Sequence, residues 1–248
     1  MTKVLKIALL AAVALLAPVA SAHAVTVYAA SSLSGVLPEI DGGARYSNGG
    51  SNTLQAQIER GAPADVFASA SPDEAQALYR KGLCNRPVTF ATNRLVLAVP
   101  RSGGSVNALS DLKGGGKRLS IGSAGVPIGN YTRKLLARMR LSSILQRNTV
   151  SNESNVSQVV AKVGLGSADA GFVYFTDAKA AASRVRGVAL PRWAQPPVRY
   201  QVCAVRRSGA DTAGATAFIA KLTATGGRAA LKRYGFGLPA KPKAKKRR

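Results

Sequence analysis

The stretch VYAASSLSGVL, residues 27–37, decides the fold class, because an apolar strand pattern runs there into two serines and then into an apolar helix pattern. The same order of strand, small polar residues and helix recurs along the chain. Strand–helix alternation predicts an α/β protein with a mostly parallel sheet, and two successive sets predict two α/β lobes. Because ligands of open α/β sheets bind at the carboxyl ends of the strands, we expect a ligand cleft between the lobes.

The N-terminal segment has the features of a secretory signal peptide. Lys3 and Lys6 precede an apolar run that ends at Leu16, and Ala22-His23-Ala24 forms an A-x-A cleavage site. The apolar run is too short to span a bilayer. We therefore expect residues 1–24 to be removed. The signal peptide predicts an exported protein, in the periplasm or at the cell exterior. Because no cysteine follows the cleavage site, we expect it to have no lipid anchor.

The chain is strongly basic, with a formal net charge of +24. Two of these charges lie in the signal peptide and six in the tail KPKAKKRR, which leaves +16 on residues 25–240. We expect the tail, residues 241–248, to be disordered and solvated. A basic exported protein could bind nucleic acid or an anionic polymer, or it could attract a small anion. Nucleic acid as the main partner is disfavoured, because the basic residues are scattered and aromatics make up only 6% of the chain.

Two helices are well marked in the sequence. Ser71 is a predicted N-cap, with Pro72 in the first turn, Glu74 completing a capping box and Gly82 ending the helix. The segment NVSQVVAKVG has four valines on one helical face: Val156, Val159, Val160 and Val163.

The usual catalytic groups are missing. The one histidine, His23, leaves with the signal peptide, which excludes a Ser-His-Asp triad, a histidine-ligated metal and a histidine base. There is no CxxC pair, Walker A loop or GxGxxG after a strand. Asp65 is the best isolated carboxylate, although a hydrogen-bonded Asp at a turn or strand end is the simpler interpretation. We therefore do not expect an enzyme.

Four junctions instead carry small hydroxyl residues or glycine at the start of a predicted helix: 31–32, 50–53, 127–130 and 155–157. The first N–H groups of a helix lack internal partners and carry partial positive charge, so they form anion sites. Hydroxyl donors could complete such a site, so that a dianion is held without Lys or Arg. Each serine could also be a simple N-cap, and these junctions alone leave the ligand open.

Six segments spread over the mature chain carry a family resemblance: VTVYAASSL, GSNTLQAQIERGAPADVFASA, NRLVLAVP, GVPIGNYTRKLL, AGFVYFTDA and RYGF. With them the chain resembles the periplasmic molybdate-binding proteins, the solute receptors of molybdate ABC transporters. The resemblance implies a type II periplasmic-binding-protein fold. Lobe one is expected over residues 25–90 and 200–240, and lobe two over 91–199. The implied partners are molybdate or tungstate and the permease and ATPase of the transporter, with no cofactor and a monomeric receptor.

The resemblance also implies an oxyanion site made of neutral donors. Its positions match Ser32 and Ser51 (hydroxyl and backbone N–H), Ile128 and Val156 (backbone N–H) and Tyr174 (hydroxyl). Ser31 is an additional candidate, with an alanine-like packing position as the alternative. A receptor for sulfate or phosphate remains an alternative, and phosphate would favour an acceptor such as Asp in the site.

Two features depart from the family pattern or stay open. The segment LPEIDGGARYSNGG is shorter than the family's usual helix and strand, although Ser32 and Ser51 still begin elements. Cys84 and Cys203 are a candidate disulfide in an exported chain, expected on the hinge side of one lobe; two buried free thiols are the alternative.

Overall fold

The computed structural model describes residues 24–239 of the chain. The expected signal peptide, apart from Ala24, and the basic tail lie outside the described residues. The strands within them are β1 (Thr26–Ala30), β2 (Arg45–Gly49), β3 (Val66–Ser69), β4 (Val88–Asn93), β5 (Leu95–Pro100), β6 (Leu119–Gly122), β7 (Thr149–Glu153), β8 (Ala170–Tyr174), β9 (Val185–Ala189) and β10 (Val198–Ala204).

The strands form two five-stranded sheets, with the orders β2-β1-β3-β10-β4 and β7-β6-β8-β5-β9. The two predicted α/β lobes are therefore confirmed. The sheets are mixed rather than mostly parallel, because β10 runs antiparallel to β3 and β4, and β5 to β8 and β9. β5 and β10 are the strands that the chain forms directly after it crosses from one sheet to the other. No crossover helix within the same sheet requires them to run parallel to their neighbours.

The chain passes between the sheets at residue 94 and again between β9 and β10. The first sheet extends to Asn93 and resumes at Val198, and these two residues pair with each other. The crossings thus fall three and two residues away from the expected boundaries at 90 and 200, because β4 and β10 stay paired up to the crossing. We propose residues 24–93 and 198–239 as lobe one, and 95–190 as lobe two.

The two crossing segments are tied to each other and to lobe two. The Gln195 side chain accepts the backbone N–H of Leu95 at 2.8 Å and donates to its carbonyl at 2.9 Å. The Arg94 guanidinium lies 3.7 Å above the centre of the Phe175 ring. These contacts fix the path of the backbone where the lobes meet.

Helices cover both sheets: α1 (Leu37–Ile40), α2 (Ser51–Glu59), α3 (Pro72–Arg80), α4 (Pro127–Arg138), α5 (Ser143–Asn148), α6 (Val156–Gly164), α7 (Phe175–Ala180), α8 (Thr212–Thr223) and α9 (Thr225–Tyr234). The valine face predicted for α6 is buried against the second sheet. The Ser71 N-cap of α3 accepts the N–H of Asp73, as predicted. Glu74 departs from the capping box, because its carboxylate accepts the hydroxyls of Ser69 and Ser71 instead of a backbone N–H.

The helix expected to begin at Ser32 is reduced to a 3-10 turn, Ser31–Leu33, and a regular helix starts only at Leu37. Pro38 accounts for the break, because it has no N–H to donate to the carbonyl of Ser34, four residues earlier. Ser32 therefore lies on a short turn after β1 rather than at the start of a continuous helix.

The core of the described residues consists of one large cluster that extends over both lobes and a smaller one in lobe one. Cys84 and Cys203 are free thiols buried together in the smaller cluster, and their pairing stays a prediction. The expected position at the hinge side is wrong. Cys203 lies near the end of β10 that is remote from the crossing, where Cys84 forms a bridge with Val205. Between residues 24 and 239, every helix is too short or too polar to cross a bilayer.

Candidate functional site

The structure brings the predicted oxyanion contacts, including Ser31, to one narrow cavity between the lobes, in which about 10 Å³ is open to the centre of a water-sized sphere. Lobe one lines it with Ala30, Ser31, Ser32, Gly49, Gly50, Ser51 and Ala70, and lobe two with Val126, Pro127, Ile128, Asn155, Val156 and Tyr174. This volume is far below the roughly 300–1,000 Å³ typical of pockets for larger organic ligands. The cavity is therefore suited to a small ligand that both lobes contact.

Ser51 is the first residue of α2 and is almost fully buried. Its Oγ accepts the backbone N–H of Ala70 at 3.0 Å. Since the oxygen is engaged by that donor, the hydroxyl proton is available for a ligand. The backbone N–H of Ser51 also lacks a partner within the helix, because it belongs to the first turn.

Ser32 follows β1 on the 3-10 turn, and its Oγ lies 2.9 Å from the hydroxyl oxygen of Tyr200. Ser31 is buried and lines the same cavity, so it stays a candidate for an additional contact. Tyr200 is a neighbour of the site that the sequence did not reveal, since it lies 168 residues away from Ser32.

Lobe two contributes the first turns of two helices of at least nine residues. Ile128 is the second residue of α4 and Val156 the first of α6, so the N–H group of each lacks a partner within its helix. Asn155 caps α6, and its Oδ1 accepts the N–H of Gln158 at 3.2 Å. This cap leaves the N–H of Val156 for the cavity. The cap bond uses one of the two lone pairs of the Asn155 amide oxygen.

Tyr174 ends β8 and is 1% exposed. Among the described residues, none makes a hydrogen bond with its buried hydroxyl. Burial raises the pKa of this hydroxyl well above its ordinary value, so it stays protonated and can donate. An unpartnered buried hydroxyl is unfavourable, and a ligand acceptor in the cavity would relieve that cost.

The arrangement is that of an anion site built from neutral donors. None of the described residues that line the cavity carries a charge, while hydroxyl and N–H donors reach it from both lobes. Several such bonds can stabilise a buried anion at roughly 1.5–3 kcal/mol each. Asp65, the isolated carboxylate, lies at the opposite end of β3, where it pairs with Arg207 at 2.7 Å and accepts the N–H of Thr26. It is a structural residue.

Gly50 allows the two lobes to approach each other beside the cavity. A Cβ atom at this position would lie 2.2 Å from the backbone oxygen of Ser154 in lobe two and 2.9 Å from Oδ1 of Asn52. The glycine is therefore required by close approach of the two backbones and not by its own dihedral angles, which are those of an extended residue. The sequence gives no signal for this contact, because Ser154 is distant along the chain.

Comparison with known proteins identifies the class. Residues 25–237 match the family of bacterial extracellular solute-binding proteins, and the chain belongs to this family. It is 33% identical over 235 residues to the molybdate-binding protein ModA of Mycobacterium tuberculosis, which covers 90% of this chain and 87% of that protein. The resemblance inferred from the sequence is thus confirmed, and the family is one of binding proteins rather than enzymes.

Solved structures agree on the fold. The periplasmic molybdate-binding protein of Azotobacter vinelandii has a TM-score of 0.77 with this chain at 26% identity, over 87% of this chain and 99% of that one. The sulfate-binding protein SubI of Mycobacterium tuberculosis has a TM-score of 0.73 at 15% identity, over 88% and 87%. The second likeness shows a common fold alone. The expected two-lobed periplasmic-binding-protein fold is therefore confirmed.

Proposed function

We propose that this protein captures molybdate between its lobes by hydrogen bonds from Ser32, Ser51, Ile128, Val156 and Tyr174, and that tungstate is a near-equivalent ligand. The observation that carries the proposal is the buried hydroxyl of Tyr174, which has no partner among the described residues and faces a cavity of neutral donors. A fully ionised tetrahedral oxyanion supplies acceptors only, and it therefore complements this set of donors. The molybdate-binding relatives support the same ligand.

The captured oxyanion is delivered to an ABC transporter, whose permease and ATPase are the partners. The family of extracellular solute-binding proteins supports an exported receptor. The chain acts as a monomer without a lipid anchor and without a catalytic reaction of its own. The N-terminal pattern of a cleavable signal peptide, with no cysteine after the cleavage site, supports export without a lipid anchor.

Specificity against sulfate comes from cavity size, because neutral donors distinguish little else between two dianions of the same shape. The fold by itself does not discriminate, since a sulfate-binding protein has it as well. Phosphate at neutral pH carries a proton and needs an acceptor. The amide oxygen of Asn155 already accepts the N–H of Gln158 with one of its two lone pairs. Asp177 lines an adjoining cavity that also includes Ser31 and Ser32, so phosphate is the comparison that tests whether this carboxyl takes part.

The test is calorimetric titration of the mature protein with molybdate, tungstate, sulfate and phosphate at one ionic strength. We expect one-to-one binding of molybdate and tungstate, with far weaker binding of the other two anions. Ser51→Ala and Tyr174→Phe each remove one donor to a charged ligand, and we expect each to weaken molybdate binding roughly 10- to 150-fold.

Tyr46→Phe is the matched control. The Tyr46 hydroxyl donates to the carbonyls of Leu37 and Asp41 in lobe one, away from the cavity, so its loss lowers stability without changing affinity. Stronger binding of sulfate or phosphate than of molybdate would refute the ligand assignment. Unchanged molybdate affinity in both Ser51→Ala and Tyr174→Phe would refute the proposed contacts.

A further inference from the structure

The direction of one hydrogen bond beside the cavity determines whether Ser32 can serve the ligand. Oγ of Ser32 lies 2.9 Å from the hydroxyl oxygen of Tyr200, and geometry allows either residue to donate. If Ser32 donated to Tyr200, its proton would point away from the cavity. If Tyr200 donates, the Ser32 proton is free for an oxyanion.

Asn93, at the end of β4, resolves this direction. Its Oδ1 accepts the backbone N–H of Arg94 at 2.9 Å, which fixes the orientation of the side-chain amide. The amide nitrogen Nδ2 therefore faces the other side, where it donates to Oγ1 of Thr176 at 2.9 Å and to the Tyr200 hydroxyl at 3.4 Å. Because Nδ2 of Asn93 can only donate, Oγ of Ser32 is the one acceptor among the described residues within hydrogen-bond distance of the Tyr200 hydroxyl, and the Tyr200 proton is therefore directed toward it.

The Tyr200 side chain is held firmly in this position. It is completely buried, and its ring makes edge contacts with Phe236, Tyr174 and Phe90 at centroid distances of 5.4, 5.8 and 6.1 Å. Burial raises the pKa of its hydroxyl well above the ordinary value, so the hydroxyl keeps the proton that it donates.

We propose that Asn93 and Tyr200 are positioning residues, which direct the hydroxyl proton of Ser32 into the oxyanion cavity. The inference rests on the proposed function, since it requires Ser32 to contact the ligand. Asn93 and Tyr200 belong to lobe one, whereas Thr176 lies in α7 of lobe two. Asn93, Tyr200 and Ser32 form a hydrogen-bond relay. The Asn93 amide that begins this relay is bonded across the hinge, so the relay is complete in the arrangement in which the lobes enclose the cavity.

A double-mutant cycle on the full mature protein tests the relay, with molybdate as the titrant and calorimetry as the readout. Ser32→Ala is expected to weaken binding roughly 10- to 150-fold, as for a lost bond to an ionised group. Tyr200→Phe removes only the orienting bond and is expected to weaken binding about 3- to 10-fold. In the Ser32→Ala background the same change is expected to cost less than about twofold, because no proton remains to be oriented.

Asn93→Leu interrupts the relay one residue earlier and provides a second entry to the cycle. We expect Asn93→Leu to weaken molybdate binding less than Ser32→Ala does. This loss of affinity is also expected to vanish in the Ser32→Ala background. Tyr46→Phe is the control for the loss of a half-buried, hydrogen-bonded tyrosine hydroxyl in the same lobe, with reduced stability to urea and unchanged affinity expected.

The outcomes separate the relay from the proposed function. Equal losses from Tyr200→Phe with and without the Ser32 hydroxyl would overturn the relay, since Tyr200 would then act through general packing. Full wild-type affinity of both Tyr200→Phe and Asn93→Leu would overturn it as well. Unchanged affinity of Ser32→Ala would remove Ser32 from the ligand contacts and overturn the relay, whereas the proposed function would stand as long as the wild type binds molybdate and Ser51→Ala or Tyr174→Phe weakens that binding.

Discussion

Substituting Gly50 by alanine should prevent the lobes from enclosing a ligand while leaving each lobe folded. The added Cβ would meet the backbone oxygen of Ser154 at 2.2 Å, and backbone atoms cannot move aside as a flexible side chain can. Gly50 has φ −67° and ψ 134°, which alanine adopts without strain. The perturbation therefore acts on the contact between the lobes and not on the local conformation of lobe one.

The size of the effect follows from the distance. Relief of the clash requires the contact to open from 2.2 Å to at least 3.0 Å, which separates the lobes there by about 0.8 Å. Hydrogen bonds of about 2.7–3.2 Å that reach a ligand from both lobes cannot all survive such a displacement. Loss of a single bond to an ionised ligand, roughly 1.5–3 kcal/mol, weakens molybdate binding about 10- to 150-fold.

The assay is calorimetric titration with molybdate, combined with thermal unfolding in the absence of ligand. We expect Gly50→Ala to lose affinity and to keep its unfolding temperature. Gly43→Ala is the matched control, because a Cβ there would contact only Asp41, at 3.6 Å. Wild-type affinity of Gly50→Ala would refute the view that backbone contact between the lobes accompanies binding.

Three further predictions concern stability. Burial raises the pKa of Asp177 to about 7. The stability that the protonated carboxyl contributes to the folded state is therefore complete below about pH 4 and is lost as the pH rises through 7. The unfolding temperature of wild type should fall below that of Asp177→Asn over this range, and parallel curves would contradict the prediction. Ser71→Ala removes the N-cap of α3 and a hydroxyl donor to buried Glu74. Urea unfolding should show a free energy of unfolding lower by roughly 1–3 kcal/mol, and a change below about 0.5 kcal/mol would contradict this assignment. If Cys84 and Cys203 pair in the exported protein, thiol titration of the denatured, unreduced chain should find no free thiol and reduction should lower the unfolding temperature; two free thiols would exclude the disulfide.

Much of the fold is encoded in local sequence patterns. The valines of α6 are spaced so that one face is apolar, and the Ser71-Pro72 pair begins α3 wherever the segment folds. The strand β1 was predicted for the same reason, since its pattern involves neighbouring residues only, whereas the helix expected from Ser32 begins only at Leu37. The contact positions Ser32, Ser51, Ile128, Val156 and Tyr174 came from the resemblance to a family, and the structure brings them to one cavity.

What the sequence alone determined is therefore the alternation of strands and helices and the supply of neutral donors at strand ends. The tertiary structure decided which strands reverse direction, that Gly50 faces the backbone of Ser154, and that Asn93 and Tyr200 lie within hydrogen-bond distance of each other beside Ser32. These features join residues far apart in the chain, and no local periodicity or cap signal encodes such pairs. They arise only when the chain crosses twice between its lobes, because packing then decides which donors and acceptors meet.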